Sequence, residues 1–221
     1  MRGNEESIVL VNVGSGDRQY IAEKINEVGN CNPRLIGIDL FFKNYSSDSE
    51  QDSMLLSSIQ NSKPILATRH QGIGTHAVNK VFLQAALDYG YAELNEEGRY
   101  VANFEVFREK NSKKDFHFAY VIAKYINPVS ASDFLKKMDT NQTDIVISKL
   151  SNQFKVFDFN QLINCEQLTD KVVIFGYLGP TNEDKFQTYA RYHDNSDRKG
   201  PDMYGPIVIA NQILMLLKEE I

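Results

Sequence analysis

The chain has 221 residues, 42% hydrophobic, 24% charged and 11% aromatic, which is the make-up of one folded domain without a low-complexity tract and argues against disorder over most of its length. A formal net charge of −5 argues against a sequence-independent grip on phosphate backbones, so no nucleic-acid partner is expected. The longest apolar stretch, residues 207–217, is far below the roughly 20 residues that cross a bilayer and is interrupted by Asn211 and Gln212.

The elements follow from hydrophobic period and punctuation. "SIVLVNVG" is a β-rich apolar run ended by Gly14, and "DRQYIAEKINEVG" is a helix with Asp17 as N-cap and Gly29 at its stop. "RLIGIDLFF" is a second buried strand, so the helix between them implies a right-handed parallel crossover. The polar "KNYSSDSEQ" leads into the helix "DSMLLSSIQ", and "KPILATRH" supplies a third strand, which makes the opening a βαβαβ unit. In the middle, "YGYAELNEEGRYVANFEVFR" predicts a hairpin about the Glu-Glu-Gly turn. "DFHFAYVIAKYI" predicts an amphipathic helix stopped by Asn127 and Pro128. "DFLKKMDTNQTDIVISKL" and "FKVFDFNQLINCEQL" mix short helices and strands. Towards the end, "DKVVIFGYLGP" is a buried strand closed by Gly176, Gly179 and Pro180. "TNEDKFQTYARYHDNSDRKGPD" is a loop long enough to be functional or mobile, and "MYGPIVIANQILMLLKEE" is the closing helix.

The expected fold is a single α/β domain over residues 1–221, a three-layer sandwich whose mixed, mostly parallel sheet carries an antiparallel hairpin. "IVLVNV", "LIGIDL", "PILAT" and "KVVIF" are expected in the one sheet, with "YAEL" and "YVANFEVF" as the antiparallel pair.

Within that frame Asp39 is the residue that needs explaining, because an ionised acid in an apolar run is costly unless the strand end reaches water or a site. Small ligands bind over the carboxyl ends of open α/β sheets, where Asp39 and Asp184 are expected to share a rim. Solvated loop acids or helix-capping acids explain both equally well. Gly14-x-Gly16 before a helix, with Asp39 ending the next strand, has the outline of a dinucleotide site. Gln19 stands at the third glycine position, however, and Asp17 stands where phosphate would arrive, so an ordinary strand-to-helix turn explains the pair more simply. His70, His76, His117 and His193 have no ligand spacing, and no metal is expected. Cys31 and Cys165 read as two buried thiols at one end of the sheet; a disulfide between them requires Cα atoms within about 7 Å.

"IVLVNVG" before a helix, "LIGIDLFF" before "SSDSEQDSMLLSSI", "KPILATR", "LTDKVVIFGYLGPTNEDKFQT" and "PDMYGPIVIANQILMLL" come in an order that resembles the CHASE type 2 family. The resemblance spans nearly the whole chain, although residues 72–160 match only in the order of hairpin and helix. It implies the periplasmic sensor module of a bacterial inner-membrane receptor, with flanking membrane helices and a cytoplasmic kinase, cyclase or other output domain. The signal would be an unknown small molecule or periplasmic cue, with no catalysis, no cofactor and no nucleic acid, and a homodimer is compatible with it. Asp39 and Asp184 fall on the family's recurring acids, and Thr181, Tyr189, Asp202 and Tyr204 complete the candidate ligand-binding set. Ile209 departs from the family, which often has a His before the Ala210-Asn211 pair. Membrane segments are expected shortly before Ile8 and soon after Leu217. The rivals are a soluble nucleotide-dependent α/β enzyme built on Gly14, Gly16 and Asp39, and a structural module that binds protein or cell wall.

Overall fold

Strand β1 (Ile8–Asn12) is buried at all five positions, so an aliphatic run without alternation becomes a central strand covered on both faces. The structure, a computed structural model, describes residues 8–69, 78–97, 100–158, 160–181, 184–186, 188 and 203–217. Asp17 caps α1 (Arg18–Gly29) by accepting the Tyr20 N–H, and β2 (Leu35–Ile38) follows. Asp48 caps α2 (Ser49–Ser62) through the Glu50 and Gln51 amides, and β3 (Ile65–Thr68) closes the expected βαβαβ unit. Helix α3 (Lys80–Ala85) and strand β4 (Asp88–Tyr91) extend it by one more parallel crossover.

The next strands are β5 (Asn95–Glu97), β6 (Tyr100–Glu105), β7 (Phe107–Lys110) and β8 (Lys113–Phe116). Helices α4 (Phe118–Ile126) and α5 (Pro128–Lys137) precede β9 (Gln142–Asp144), β10 (Lys155–Phe157) and β11 (Val172–Gly176). The chain ends in β12 (Lys185–Phe186), β13 (Met203–Tyr204) and α6 (Gly205–Leu217).

Six strands form one parallel sheet in the order β10-β1-β11-β2-β3-β4. On one face Val9, Val11, Ile36 and Ile38 pack against Ile21 and Ile25 of α1, Leu55 and Ile59 of α2, and Phe82 of α3. On the other, Ile8, Leu10, Ile65 and Ile174 pack against Phe118 and Ile122 of α4 and Ile209 and Ile213 of α6. The result is the expected three-layer sandwich, with "IVLVNV", "LIGIDL", "PILAT" and "KVVIF" in one sheet.

Three local readings are corrected. Tyr91 belongs to β4, where it extends the parallel sheet beside Thr68, so the hairpin is formed by β5 and β6 and not by "YAEL". The middle helix begins at Phe118, because Lys113–Phe116 pair with Phe107–Lys110 and the His117 ring caps the Ala119 N–H. Pro128 does more than stop that helix: it opens α5, which Asn127 caps.

Cys31 and Cys165 are bonded to each other, with Cα atoms 4.7 Å apart, which corrects the reading of two free thiols. They precede β2 and β11 at the same end of the sheet, and because those strands are adjacent and parallel the two cysteines are brought within bonding reach.

Candidate functional site

Strands β2 and β11 are neighbours, yet the chain leaves β2 for α2 on one face and leaves β11 for α6 on the other. Adjacent strands whose connections part to opposite faces leave a crevice over their carboxyl ends. A cleft of about 750 Å³ opens there. Its base is made by residues just past four strand ends: 39–41 after β2, Arg69 after β3, 92–94 after β4 and Tyr177 after β11. Arg108 of β7, Asp184 just before β12, Phe186 of β12, and Gly205 and Ile209 of α6 complete the walls. A second hollow of about 560 Å³ lies at the opposite end of the sheet, around the carboxyl ends of α1 and α2, away from the switch point.

Asp39 is half-buried, and its N–H continues the β2–β11 ladder to the Phe175 carbonyl at 2.8 Å. Gly176 makes room for this arrangement, since a Cβ there would lie 2.3 Å from Pro206 Cγ and 3.6 Å from Asp39 Cβ. Asp184 sits at the solvent-facing rim in the left-handed region, φ 58°, and its carbonyl accepts the Gly205 N–H at 2.9 Å. A Cβ on Gly205 would come within 2.7 Å of Asp184 Oδ2, so only glycine lets the first turn of α6 approach the carboxylate this closely. Burial and, secondly, the neighbouring Asp184 hold the Asp39 carboxyl well above the usual carboxylate range. Desolvation raises Asp184 to about 6.

The other predicted site residues divide. Tyr204 donates to the Thr181 carbonyl at 2.9 Å, Tyr177 Oη and Thr181 Oγ1 are 2.6 Å apart, and the two tyrosine rings meet edge to face. Thr181 and Tyr204 therefore fasten the β11 exit to the approach of α6 beside the cleft and are not part of its lining. Tyr189 and Asp202 lie outside the described residues.

Sequence reasoning missed Arg69, Glu93 and Arg108. Arg69 carried a signal, because it follows β3 as Asp39 follows β2. Arg108 carried none: its pairing with Glu93 and Glu105, at 2.5 Å each, depends on where the hairpins fold.

His117, the one described histidine, is buried between the Tyr91 and Phe104 rings. Its Nδ1 accepts the Ala119 N–H, so Nε2 carries the proton, buried without a formed hydrogen bond. Burial first drives its pKa down to about 3; the Glu93 backbone opposes this and the Arg108 charge adds to it. It is a neutral helix cap within a core. Among the described residues no three His, Cys, Asp or Glu side chains gather where they would hold a metal.

The glycine turn at residues 14–16 uses its amides internally. Gly14 N–H donates to Asn12 Oδ1 and Gly16 N–H to the Val13 carbonyl, while Asp17 caps the first turn of α1. Arg18, which stands where a phosphate would need a cation, is paired with Asp52 and the Asn44 carbonyl.

The family model for the CHASE2 domain matches residues 4–221. The chain belongs to the CHASE2 family. No curated protein and no solved structure gives a significant match to it. CHASE2 domains are sensor domains of signalling receptors, and the family is extracellular. In this CHASE2 domain no helix among the described residues is long and apolar enough to cross a membrane.

Proposed function

We propose that this CHASE2 domain is the extracytoplasmic, periplasmic ligand-sensing part of a bacterial membrane receptor, and that it binds a small molecule in the cleft over Asp39 and Asp184. The observation that carries this reading is that Gly205 and Ile209, in the first turns of α6, form part of the cleft wall. A ligand that fits one placement of α6 better than another shifts the helix, by no more than its difference in affinity for the two. Sensing of this kind is a change of population and needs no bond-making residue, cofactor or metal. Flanking membrane helices and a cytoplasmic output domain would receive the shift, and pairing of two such domains would suit it.

The nucleotide-dependent enzyme reading has less support, since the amides and the cation it needs are already partnered at residues 14–18. A purely structural module would have no use for a cleft whose two acids have no side-chain donor among the described residues.

The test is the output of the full-length receptor, with a pool of small metabolites applied outside the membrane. Ile209→Trp would fill the cleft, and it is expected to abolish the response while the domain keeps a cooperative melting transition. A response that survives this substitution would remove the cleft as the sensing site.

A further inference from the structure

The charges on the cleft wall narrow the chemistry of its ligand, an inference that rests on the sensing role just proposed for the cleft. Arg108 is held by Glu93 and Glu105 and lies over the Tyr91 ring at 4.7 Å, so its guanidinium is already engaged by two carboxylates. Arg69 has no carboxylate partner among the described residues; its guanidinium lies over the Phe41 ring at 5.7 Å. Asp39 and Asp184 have no side-chain donor among the described residues.

Strand register places these groups together. Gly37 pairs with Ile65 and Ile38 with Leu66, so continuing the ladder sets Arg69 level with Phe41, two residues beyond the level of Asp39. Gly37 faces Phe118 and Ile122 of α4, and Ala67 lies in the same layer, while Ile38 and Leu66 face α1 and α2. Alternation then turns Asp39 and Arg69 to the α6 side, on adjacent strands. The cleft thus carries two unmatched carboxyls by the first turn of α6, one unmatched guanidinium a strand away, and apolar walls from Leu40, Leu94, Phe186 and Ile209.

We propose that the cleft binds a free α-amino acid with an apolar side chain, its ammonium group on Asp39 and Asp184, its carboxylate on Arg69, and its side chain against Leu94 and Ile209. A simple amine would leave Arg69 unmatched, and a simple carboxylic acid would leave the acid pair without a cation. Only a zwitterion answers both. Arg69, Glu93, Tyr177 and Arg108 are the other titratable groups that line the cleft with the acid pair. The arriving ammonium favours the ionised form of both carboxyls, so binding releases a proton.

Calorimetric titration of the chain with the standard L-amino acids, one at a time, is the test. Controls are calcium chloride and the decarboxylated amine and deaminated acid of the tightest binder. One or more apolar amino acids is expected to bind, with its amine and its acid at least about tenfold weaker, and with a heat that varies with the ionisation enthalpy of the buffer. Asp39→Asn and Asp184→Asn, isosteric changes, are expected to lose both amino acid and amine. Arg69→Gln is expected to weaken the amino acid about tenfold and leave the amine unchanged. An amine or acid that binds as tightly as the amino acid, calcium bound by the acid pair in its place, or no amino acid bound at all would each overturn the inference. If no amino acid binds while Ile209→Trp still silences the receptor, the ligand class falls and the sensing role stands. If amino acids bind while that variant responds normally, the ligand class stands and the sensing role falls.

Discussion

Asp39 and Asp184 give the domain a titration opposite to that of an ordinary surface acid. Each is held above the usual value of 3.8, Asp184 at about 6, so the folded chain keeps protons that the unfolded chain has already lost. The stability this supplies is complete below the unfolded value and is lost as pH rises through the folded ones. Asparagine carries no such titration. The melting temperature of Asp39→Asn is therefore expected to gain on that of the wild type as pH is raised from about 4 to about 8. A difference independent of pH, or a variant that loses ground to the wild type as pH rises, would show that the carboxyl is not held in its protonated form. The sequence marked Asp39 because one acid ended an apolar run. It did not mark Arg108, whose partners lie 15 residues upstream at Glu93, in the loop after β4, and three upstream at Glu105, in β6.

At the scale of the element, α6 is both a wall of the cleft and a buried helix pinned at one polar point. Asn211 Oδ1 accepts the Ser148 and Lys149 amides at 2.9 Å each, and its Nδ2 donates to the Lys149 and Ile207 carbonyls at 3.0 Å. The amide that interrupts the apolar stretch in the sequence thus ties the helix to the segment entering β10. Asn211→Ala leaves both loop amides short of a partner and is expected to cost about 3 kcal/mol in urea unfolding. A loss below about 1 kcal/mol would mean that water takes over the clasp.

For the whole molecule, the Cys31–Cys165 bond ties the loop after α1 to the segment before β11 across 134 residues of chain. Closing so long a loop restricts the unfolded chain, and reduction is expected to lower stability by about 2 to 5 kcal/mol. Urea midpoints with and without reductant measure this, and identical midpoints would mean that the bond contributes nothing. Such a bond suits an oxidising space outside the cytoplasm, which agrees with the extracellular character of the CHASE2 family.

Local sequence settles β1, β2, β3 and β11, the helices α1, α2, α4 and α6 that cover them and the acid at the end of β2, because apolar period, caps and glycines act over a few residues; α3 left no such signal. The motif order also pointed to the family. Tertiary structure decided the rest. β11 inserts between β1 and β2, a pairing between residues more than a hundred apart that no local signal encodes. That insertion brings Asp39 up to Gly176 and α6, and it sets Cys31 beside Cys165. It also divides the outgoing connections between the two faces, so that the cleft opens where four strands end. Tyr91 was misassigned for the same reason: an aromatic, β-rich run pairs equally well in a hairpin or at the edge of a parallel sheet, and only the exposed edge of β3 decided between them.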